Sequence, residues 1–427
     1  MLRLSAAKKS NHMNFLEQHR ILRRKIRRTK YNWLSEIAQN GSSIANYLLK
    51  RKGRHLCKVK SIAEEAEETF VLFGPSPQTR IAPNFFGEEP VVELGKHSSL
   101  NAYLFKNAIV SPKTSIIGID NDLLAPSEII EQRDRLEIDP GVIGYINPKY
   151  AYRFESTPAE YESAILISGN GASNWYHFVS EIAPKAFLTN FLPSKFDDFP
   201  LIVPNDAQIE GPFWEILQAL QPHRRILKLN HESARIRNLV TFDEVSHGPF
   251  NMVQGSWPIM GNYSNHEQVL KLVFQKLRDE LLRPTAFARP QRRIFIVRPE
   301  TRRTYNQSQL LEIAQKYNFE PVSPEAHSLT DQAQMFADAS HVVGASGAAW
   351  TNMVFAPKPF KALTWIIPQY SQFCSYSMLA LLLGHHLRYL TAQPTKKIRT
   401  THDAFLASYH VSPIEFEEAL IQLIGKT

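Results

Sequence analysis

Short apolar runs alternate with segments of helical periodicity from about residue 161 onward, and this alternation constrains the fold most. The first block contains the apolar run Ser163–Ser168, a glycine turn at 169–171 and a stretch from Trp175 to Phe187 with apolar residues at helical spacing. The second block follows a joint rich in proline and arginine. Its strand candidates are Ile294–Val297, Phe319–Val322, His341–Val343 and Ala362–Ile367. Because such alternation is typical of parallel sheets covered by helices, the sequence predicts an α/β fold with two facing Rossmann-like domains.

Two helices of the second block have predicted amino-terminal caps. Ser308 precedes an apolar pattern at helical spacing and is a residue type that favours the cap position. Ser328 and Asp331 have the spacing of a capping box, with Asp in place of the usual Glu or Gln. Both patterns predict that a helix begins directly after the serine.

The chain has a net charge of +8, and its excess positive charge lies in residues 1–60. This segment holds sixteen lysines and arginines against Glu17 and Glu36, whereas the remainder of the chain is net acidic. Apolar residues such as Ile21 and Ile26 interleave with the basic ones, as in a basic amphipathic helix. The segment is therefore a solvated tail, a contact with an anionic membrane surface or a contact with nucleic acid. Nucleic acid ranks last, because no zinc finger, RNA-binding sheet motif or helix-turn-helix pattern follows.

The cysteines and the apolar runs exclude several protein classes. Cys57 and Cys374 are far apart and form no metal-ligand pattern, which argues against a disulfide scaffold and a structural zinc site. The longest apolar runs, such as Met378–Leu383, are much shorter than the roughly 20 residues of a membrane span. The beginning of the chain lacks the apolar segment of a signal peptide. We expect a cytoplasmic protein, with residues 1–60 as its contact with the inner face of the cytoplasmic membrane.

The segment Gly344–Ala349 is the best candidate for a phosphate site. Its glycines lie between a predicted strand and a predicted helix, where backbone amides and the helix start favour an anion. The alternative is a tight turn whose glycines serve packing alone. Arg298, Arg302 and Arg303 follow another strand of the same block, so they are expected at the same edge of the sheet. Guanidinium groups bind phosphate through paired hydrogen bonds, and the combination predicts a diphosphate ligand.

A histidine and a glutamate share one face of the helix in the first block. His177 and Glu181 are four residues apart, and Pro184 cannot donate a hydrogen bond to the carbonyl group of Ser180. We therefore expect a kink or an early end of this helix. A histidine held by a carboxylate near a helix start is a plausible general base, and the alternative is a hydrogen-bonded structural histidine.

The triplet Asp120-Asn121-Asp122 is a possible metal-binding pattern. It lies between two apolar runs, where Asn and Asp are common turn residues. The turn interpretation is favoured, and no metal site is assigned.

Four segments, in the right order, resemble glycosyltransferase family 61. The strand Ile294–Arg298 and the following Arg302-Arg303-Thr-Tyr-Asn306 resemble the family's strand ending in Arg and its Arg-Arg-x-x-Asn-Glu motif. Residues 331–339 resemble its Glu-Gln-x-x-x-Phe-x-x-Ala helix, and residues 344–355 its Gly-x-His-Gly-Ala…Asn…Phe signature. Residues 174–184 resemble its helix carrying His, Glu and Pro. The strand pattern of Ala102–Pro126 also resembles the family, so the resemblance covers roughly residues 100–360. Four motifs in the right order are more specific than any one of them.

The chain departs from the family pattern at three positions. Gln307 and Asp331 stand where the family has Glu, and Ser346 stands where it has His. The last position lies inside the expected donor site, so it bears on the identity of the donor sugar and on activity itself.

The resemblance implies a GT-B-like fold, a nucleotide-sugar donor and inversion at the anomeric carbon. Five segments are expected: a basic helical arm (1–60), a small β-rich segment (61–160), a Rossmann-like acceptor domain (161–283), a Rossmann-like nucleotide-sugar-binding domain (284–400) and carboxyl-terminal helices (401–427). No metal cofactor is expected, because arginines and a helix start can stabilise the leaving diphosphate.

The expected function is an inverting glycosyltransferase of capsular or surface polysaccharide biosynthesis, acting on a glycan or glycolipid acceptor. His177 is the expected base and Glu181 its partner. The donor contacts are expected from Arg298, Arg303, Glu325, Ser346, Gly347, Ala348 and Asn352. One alternative is a non-catalytic protein of the same fold that binds a glycan or a membrane. The other is a dinucleotide-dependent oxidoreductase, which the missing third glycine after Gly347 disfavours.

Overall fold

The computed structural model describes residues 54–127, 143–147, 150–154, 158–205, 211–229, 233–249, 257–282, 290–299 and 303–425. Most of the predicted basic arm, residues 1–53, lies outside the described residues, as does Arg302. Residues 54–60, predicted as part of the arm, instead belong to a strand of the main sheet, where their backbone pairs with two other strands.

The strands of the part up to residue 282 are β1 (Arg54–Ser61), β2 (Glu68–Phe73), β3 (Ser76–Ile81), β4 (Val92–His97), β5 (Leu100–Val110), β6 (Ile117–Ile119), β7 (Asp122–Ala125), β8 (Ile143–Asn147), β9 (Tyr150–Phe154), β10 (Ala159–Leu166), β11 (Leu201–Ile202), β12 (Ala234–Phe242), β13 (Ser246–His247) and β14 (Ser264–Asn265). Its α-helices are α1 (Ile62–Glu65), α2 (Trp175–His177), α3 (Ala183–Leu188), α4 (Pro212–Leu220) and α5 (Glu267–Leu281). A π-helix spans Phe178–Ile182, and 3-10 helices span Thr189–Phe191, Ser194–Phe196 and Met260–Asn262.

The later part contains β15 (Arg292–Ile296), β16 (Glu320–Val322), β17 (Ala339–Ala345), β18 (Lys361–Ile366), β19 (His386–Thr391), β20 (Gln393–Pro394) and β21 (Tyr409–His410). Its α-helices are α6 (Gln307–Lys316), α7 (Leu329–Ala337), α8 (Ser375–Leu383), α9 (Thr401–Leu406) and α10 (Pro413–Ile424). Its 3-10 helices span Pro324–Ala326, Ala348–Phe355 and Pro368–Tyr370.

The later part forms the parallel α/β unit that the sequence predicts. Its five strands pair in the order β16-β15-β17-β18-β19, and every pair is parallel. Successive residues of β15 enter different cores, because the side chains of a strand alternate between the two faces of the sheet. Ile294 and Ile296 pack with the core shared with the first part, whereas Phe295 packs with residues of α6 and α10. The sheet is therefore buried on both faces, as a doubly wound sheet requires.

The first part contains a larger, mixed sheet, and a second Rossmann-like domain is not confirmed. Its path is β11-β10-β12-β5-β6-β7-β1-β9-β8, with β2 paired to β5. Strands β11, β10 and β12 are parallel, but β12 pairs antiparallel with β5. The predicted boundary at residues 160 and 161 lies within β10, and strands on both sides of it share this sheet. The long strand β5 thus extends a short parallel unit into a mixed sheet.

The predicted helix starts are partly confirmed. Ser328 caps α7, where its Oγ accepts a hydrogen bond from the amide of Asp331 at 3.2 Å. Ser308 lies inside α6, and Asn306 occupies the cap position instead. The helix expected after the glycine segment is a 3-10 helix, Ala348–Phe355, rather than an α-helix. None of the helices within the described ranges has the length and apolar character needed to cross a membrane.

Candidate active site

The helix that carries His177 changes its hydrogen-bonding register at the residues of interest. Asn174 caps its start, with Oδ1 accepting from the amide of Tyr176 at 2.9 Å. After one turn the helix becomes a π-helix, in which the amide of Ala183 bonds to the carbonyl group of Phe178. Pro184 has no amide hydrogen for the carbonyl group of Ser180, so the α-helical ladder cannot continue there. The kink that the sequence predicts is therefore realised as a π-helical turn.

His177 and Glu181 form a buried pair on this turn. Nδ1 of His177 lies 2.8 Å from Oε2 of Glu181, and the two residues are 8% and 5% exposed. When Nδ1 donates its hydrogen to the carboxylate, Nε2 carries the lone pair of the neutral ring. The carboxylate also stabilises a charged imidazolium, so the pair can accept a proton from a bound hydroxyl group.

A buried ion pair fixes this helix to the ends of two parallel strands. Nζ of Lys185 lies 2.8 Å from Oε1 of Glu244 and 2.8 Å from the carbonyl oxygen of Ser168. Ser168 follows β10 and Glu244 follows β12, so both groups lie at the carboxyl edge of the parallel strands. Lys185 therefore holds the His177 helix at the edge where ligands bind in α/β sheets.

Arg298 lies directly against the glycine segment, as the shared sheet edge predicts. A Cβ atom added to Gly347 would lie 3.2 Å from Nη2 of Arg298. Nη1 of Arg298 is buried and has no hydrogen-bond partner among the described residues. A buried charged donor of this kind fits a site whose acceptor comes from an anionic ligand. Residues 346–349 of the same segment are half-buried.

Gln307 holds the backbone of Arg298 through both ends of its amide. Its Oε1 accepts from the amide of Arg298 at 2.7 Å, and its Nε2 donates to the carbonyl oxygen of Arg298 at 3.0 Å. The hydroxyl group of Tyr305 also donates to Oε1, at 2.8 Å. An ionised glutamate has no hydrogen to donate to a carbonyl group. The departure from the family pattern at Gln307 therefore suits this double contact.

Arg303 and Arg298 lie near the same tyrosines. Burial raises the pKa of Tyr376 and of Tyr409, and the positive charges of both arginines oppose that rise. Arg303 has a φ of 51°, in the left-handed region that is uncommon for a residue with a side chain. The backbone thus turns sharply at Arg303, and its charge acts on the same two tyrosines as that of Arg298.

The His177 helix and the glycine segment adjoin each other directly. Nε1 of Trp175 donates to Oδ1 of Asn352 at 2.6 Å. The ring of Tyr176 meets that of Tyr376 edge to face, with centroids 5.5 Å apart. Because Tyr376 also lies near the two arginines, the expected base and the expected phosphate contacts occupy one region of the molecule.

The structure brings most of the predicted site residues together. Asn352 and Glu325 differ from the others in their surroundings, since Asn352 is buried and Glu325 is exposed. Asn352 is only 1% exposed, and its amide is bonded to Trp175 and, through Nδ2, to Oε1 of Gln332 at 3.0 Å. This favours a positioning role over the donor contact that the sequence suggests. Glu325 is exposed on the 3-10 helix after β16, at the same sheet edge.

The Asp120–Asp122 triplet forms a turn. Asp120 and Asn121 connect β6 to β7, and Asp120 has the positive φ of 48° common for Asp in tight turns. Asp122 pairs with Lys60 at 2.8 Å. In the part of the chain that the structure describes, no group of three or more His, Cys, Asp or Glu side chains is arranged to hold a metal ion.

Sequence reasoning did not single out Trp175, Gln332, Tyr376 or Lys185 as site residues. Trp175 and Lys185 flank the His177–Glu181 motif, and Gln332 lies in a segment resembling a family motif, so their proximity to candidate residues was a usable signal. Tyr376 carries no such signal, because only the packing of α8 brings it to the arginines.

Residues 175–363 match the sequence model of the family Glycosyltransferase 61. The resemblance that the four motifs indicate is therefore confirmed for this part of the chain, which is less than half of its length. The match includes His177, Glu181, both arginines and the glycine segment, and it supports glycosyltransferase activity. A comparison of the whole chain with curated proteins found no match.

Proposed function

We propose that the protein transfers a sugar from a nucleotide-activated donor to a hydroxyl group of a glycan or glycolipid, with inversion at the anomeric carbon. One observation carries the proposal. A buried histidine–carboxylate pair lies beside a glycine segment that is in contact with an arginine, and Trp175 and Asn352 bond the two regions at 2.6 Å. A base and an anion site on adjoining segments suit a transfer between two bound substrates.

The donor diphosphate would be held by the later part of the chain. The guanidinium groups of Arg298 and Arg303 supply charge-assisted hydrogen bonds, and the amides of Ser346, Gly347 and Ala348 supply further donors. These groups stabilise the negative charge that develops on the leaving diphosphate, so the reaction needs no divalent cation. Glu325 is proposed to accept hydrogen bonds from the ribose hydroxyl groups. The hydroxyl group of Ser346 provides a neutral contact at the position where the family pattern has a histidine.

The acceptor would be activated by the first part of the chain. Nε2 of His177 removes the proton of the acceptor hydroxyl group as its oxygen bonds to the anomeric carbon. The bond between that carbon and the donor phosphate oxygen breaks on the opposite side, which inverts the configuration. The carboxylate of Glu181, 2.8 Å from Nδ1, stabilises the imidazolium that results. The proton passes to solvent once the product leaves.

The proposal extends to the setting of the reaction. A GT-B-like arrangement would place donor and acceptor on opposite sides of a cleft. The basic residues 1–53 would hold the protein at an anionic membrane surface, where glycolipid acceptors of capsular or surface polysaccharide synthesis are found.

A ligand panel tests the proposal against its two rivals. The full-length chain is screened by thermal shift with UDP-, CMP- and GDP-sugars and with NAD and NADP. We expect stabilisation by one class of nucleotide sugar, followed by its hydrolysis or transfer, with the anomeric configuration of the product read by NMR. Stabilisation by a dinucleotide alone would favour an oxidoreductase. Binding of a nucleotide sugar or a glycan without any turnover would favour a non-catalytic binding protein.

A further inference from the structure

Two buried side chains, Asn352 and Gln332, and the half-buried Trp175 form a continuous series of hydrogen bonds that the proposed chemistry does not use. Nε1 of Trp175 donates to Oδ1 of Asn352 at 2.6 Å, and Nδ2 of Asn352 donates to Oε1 of Gln332 at 3.0 Å. Nε2 of Gln332 then donates to the carbonyl oxygen of His327 at 3.0 Å. We call these three side chains the Trp175–Asn352–Gln332 series.

The chemistry of the indole fixes the direction of the whole series. An indole nitrogen only donates, so Asn352 must turn its oxygen toward Trp175 and its nitrogen toward Gln332. Gln332 is thereby forced to turn its own oxygen toward Asn352 and its nitrogen toward His327. Asn352 and Gln332 are 1% and 7% exposed, so water cannot readily replace a lost partner.

The series connects three segments that carry different parts of the proposed site. Trp175 begins the helix of His177 and lies two residues before it. Asn352 lies in the 3-10 helix that begins at Ala348, the last of the proposed phosphate contacts. The carbonyl group of His327 belongs to the loop that follows the proposed ribose contact, Glu325.

Apolar side chains of equal volume could also pack these three segments together, but they would allow the segments to shift relative to one another. A series of hydrogen bonds through two buried amides is satisfied in one arrangement and penalises others, because each displaced amide loses its partner. We infer that Trp175, Asn352 and Gln332 are positioning residues that set the spacing between the His177 base and the donor-phosphate segment. This inference rests on the proposed function, because it assigns the spacing a purpose in that reaction.

The test begins with Trp175→Phe, which removes the indole donor. An aromatic ring remains to pack edge to face on Phe213, whose ring centroid lies 5.4 Å from that of Trp175. Trp214→Phe, on α4, is the matched control for the loss of one tryptophan. Amide hydrogen exchange of the full chain is measured by mass spectrometry without any substrate. We expect faster exchange in residues 327–334 and 346–355 of Trp175→Phe and unchanged exchange there in the control, because the lost donor releases both segments.

Kinetics with the donor identified in the ligand panel supply the second readout. In Trp175→Phe we expect kcat to fall by about 10- to 100-fold while donor affinity stays within about twofold, since a misplaced base slows the reaction without removing a donor contact. Gln332→Met should have the same effect. The double variant should lose little more than the larger single loss, because both changes break one series.

The outcomes separate this inference from the proposed function. Equal exchange in Trp175→Phe and Trp214→Phe overturns the inference, whether or not the protein transfers sugar. If the wild-type protein turns over no donor, the proposed function fails, and the kinetic purpose assigned to the series fails with it, even if exchange shows the coupling. The inference is also overturned if kcat falls only in proportion to a lower melting temperature and the losses of the two single variants multiply in the double variant. That result would identify the series as structural.

Discussion

The guanidinium group of Arg298 occupies the space where a side chain at position 347 would lie. A Cβ atom on Gly347 would come within 3.2 Å of Nη2 of Arg298. Gly347 has an extended backbone, with a φ of 175°, so the contact, and not backbone freedom, is what favours glycine there. The arginine and the glycine segment therefore form one surface, built from the ends of two neighbouring parallel strands.

Arg298→Ala should lower the affinity for the nucleotide-sugar donor by about tenfold or more, because hydrogen bonds to charged groups contribute about 1.5–3 kcal/mol. The measurement is a titration of the donor, or of its nucleoside diphosphate, by calorimetry. Arg388→Ala, on the far strand β19, serves as the control for loss of one arginine. Equal affinities of the Arg298 variant and the wild type would place Arg298 outside the donor site.

His177→Ala should lower kcat by roughly 10²–10⁴-fold, because that is the usual contribution of a positioned general base. Donor affinity should change little, since the donor contacts lie on other segments. Glu181→Gln should cost less, because the amide still accepts from Nδ1 but no longer stabilises the imidazolium. If Glu181→Gln is inactive while His177→Ala turns over normally, the carboxylate is the base. If His177→Ala mainly lowers the melting temperature, the histidine is structural.

Sugar transfer should persist in EDTA, because arginines and backbone amides can stabilise the leaving diphosphate. The rate is measured before and after chelation and again after addition of Mn²⁺ or Mg²⁺. Asp122→Asn distinguishes the turn interpretation of the triplet from the metal-site interpretation. Because Asp122 is paired with Lys60, we expect this variant to keep its activity. Complete loss of activity on chelation, restored by metal, would contradict the proposed mechanism.

The folded protein should lose stability as the pH falls from about 6.5 toward 4, with His385 as one cause. Burial lowers the pKa of His385 from 6.5 to about 4. Its Nδ1 accepts from the amide of Phe360 at 3.2 Å, and its Nε2 faces the carbonyl oxygen of Met353 at 3.1 Å, so an added proton would disrupt the first bond. In this pH window the unfolded chain binds a proton that the folded chain does not, which costs up to about 3 kcal/mol.

Denaturant unfolding of His385→Gln between pH 7 and 4 checks this assignment. The variant should show a shallower dependence of stability on pH than the wild type, and the exposed neighbour His386 provides the matched variant His386→Gln. A residual slope is expected, because burial also lowers the pKa of His97 to about 4. Identical slopes for His385→Gln and the wild type would show that His385 does not titrate in this way.

Deletion of residues 1–30 should weaken binding to anionic vesicles, because each lysine or arginine near such a surface contributes about 1 kcal/mol. Cosedimentation with phosphatidylserine-containing vesicles at low and high salt measures the effect, with neutral vesicles as the control. Transfer to a soluble acceptor should remain nearly intact. Equal binding by both chains would remove the membrane role, and tight RNA binding by the full-length chain would favour the nucleic-acid interpretation.

Several features of the fold and site were predictable because they depend on local patterns. The parallel unit follows from apolar runs such as Ile294–Val297, which alternate with helical periodicity. The contact between Arg298 and Gly347 follows from the rule that loops after parallel strands share one edge. The pairing of His177 with Glu181 follows from their i, i+4 spacing, which survives the change of helical register.

Tertiary structure decided the features that join distant segments. The pairing of β5 with β12 connects segments more than 100 residues apart and makes the first sheet mixed, and nothing local to either strand specifies that partner. Asn352 resembled a donor contact in the sequence, yet packing brings Trp175 and Gln332 to its two polar atoms. Hydrophobic periodicity records which face of an element is buried but not which element covers it. That choice depends on the shapes and hydrogen-bonding groups that meet when the whole chain packs.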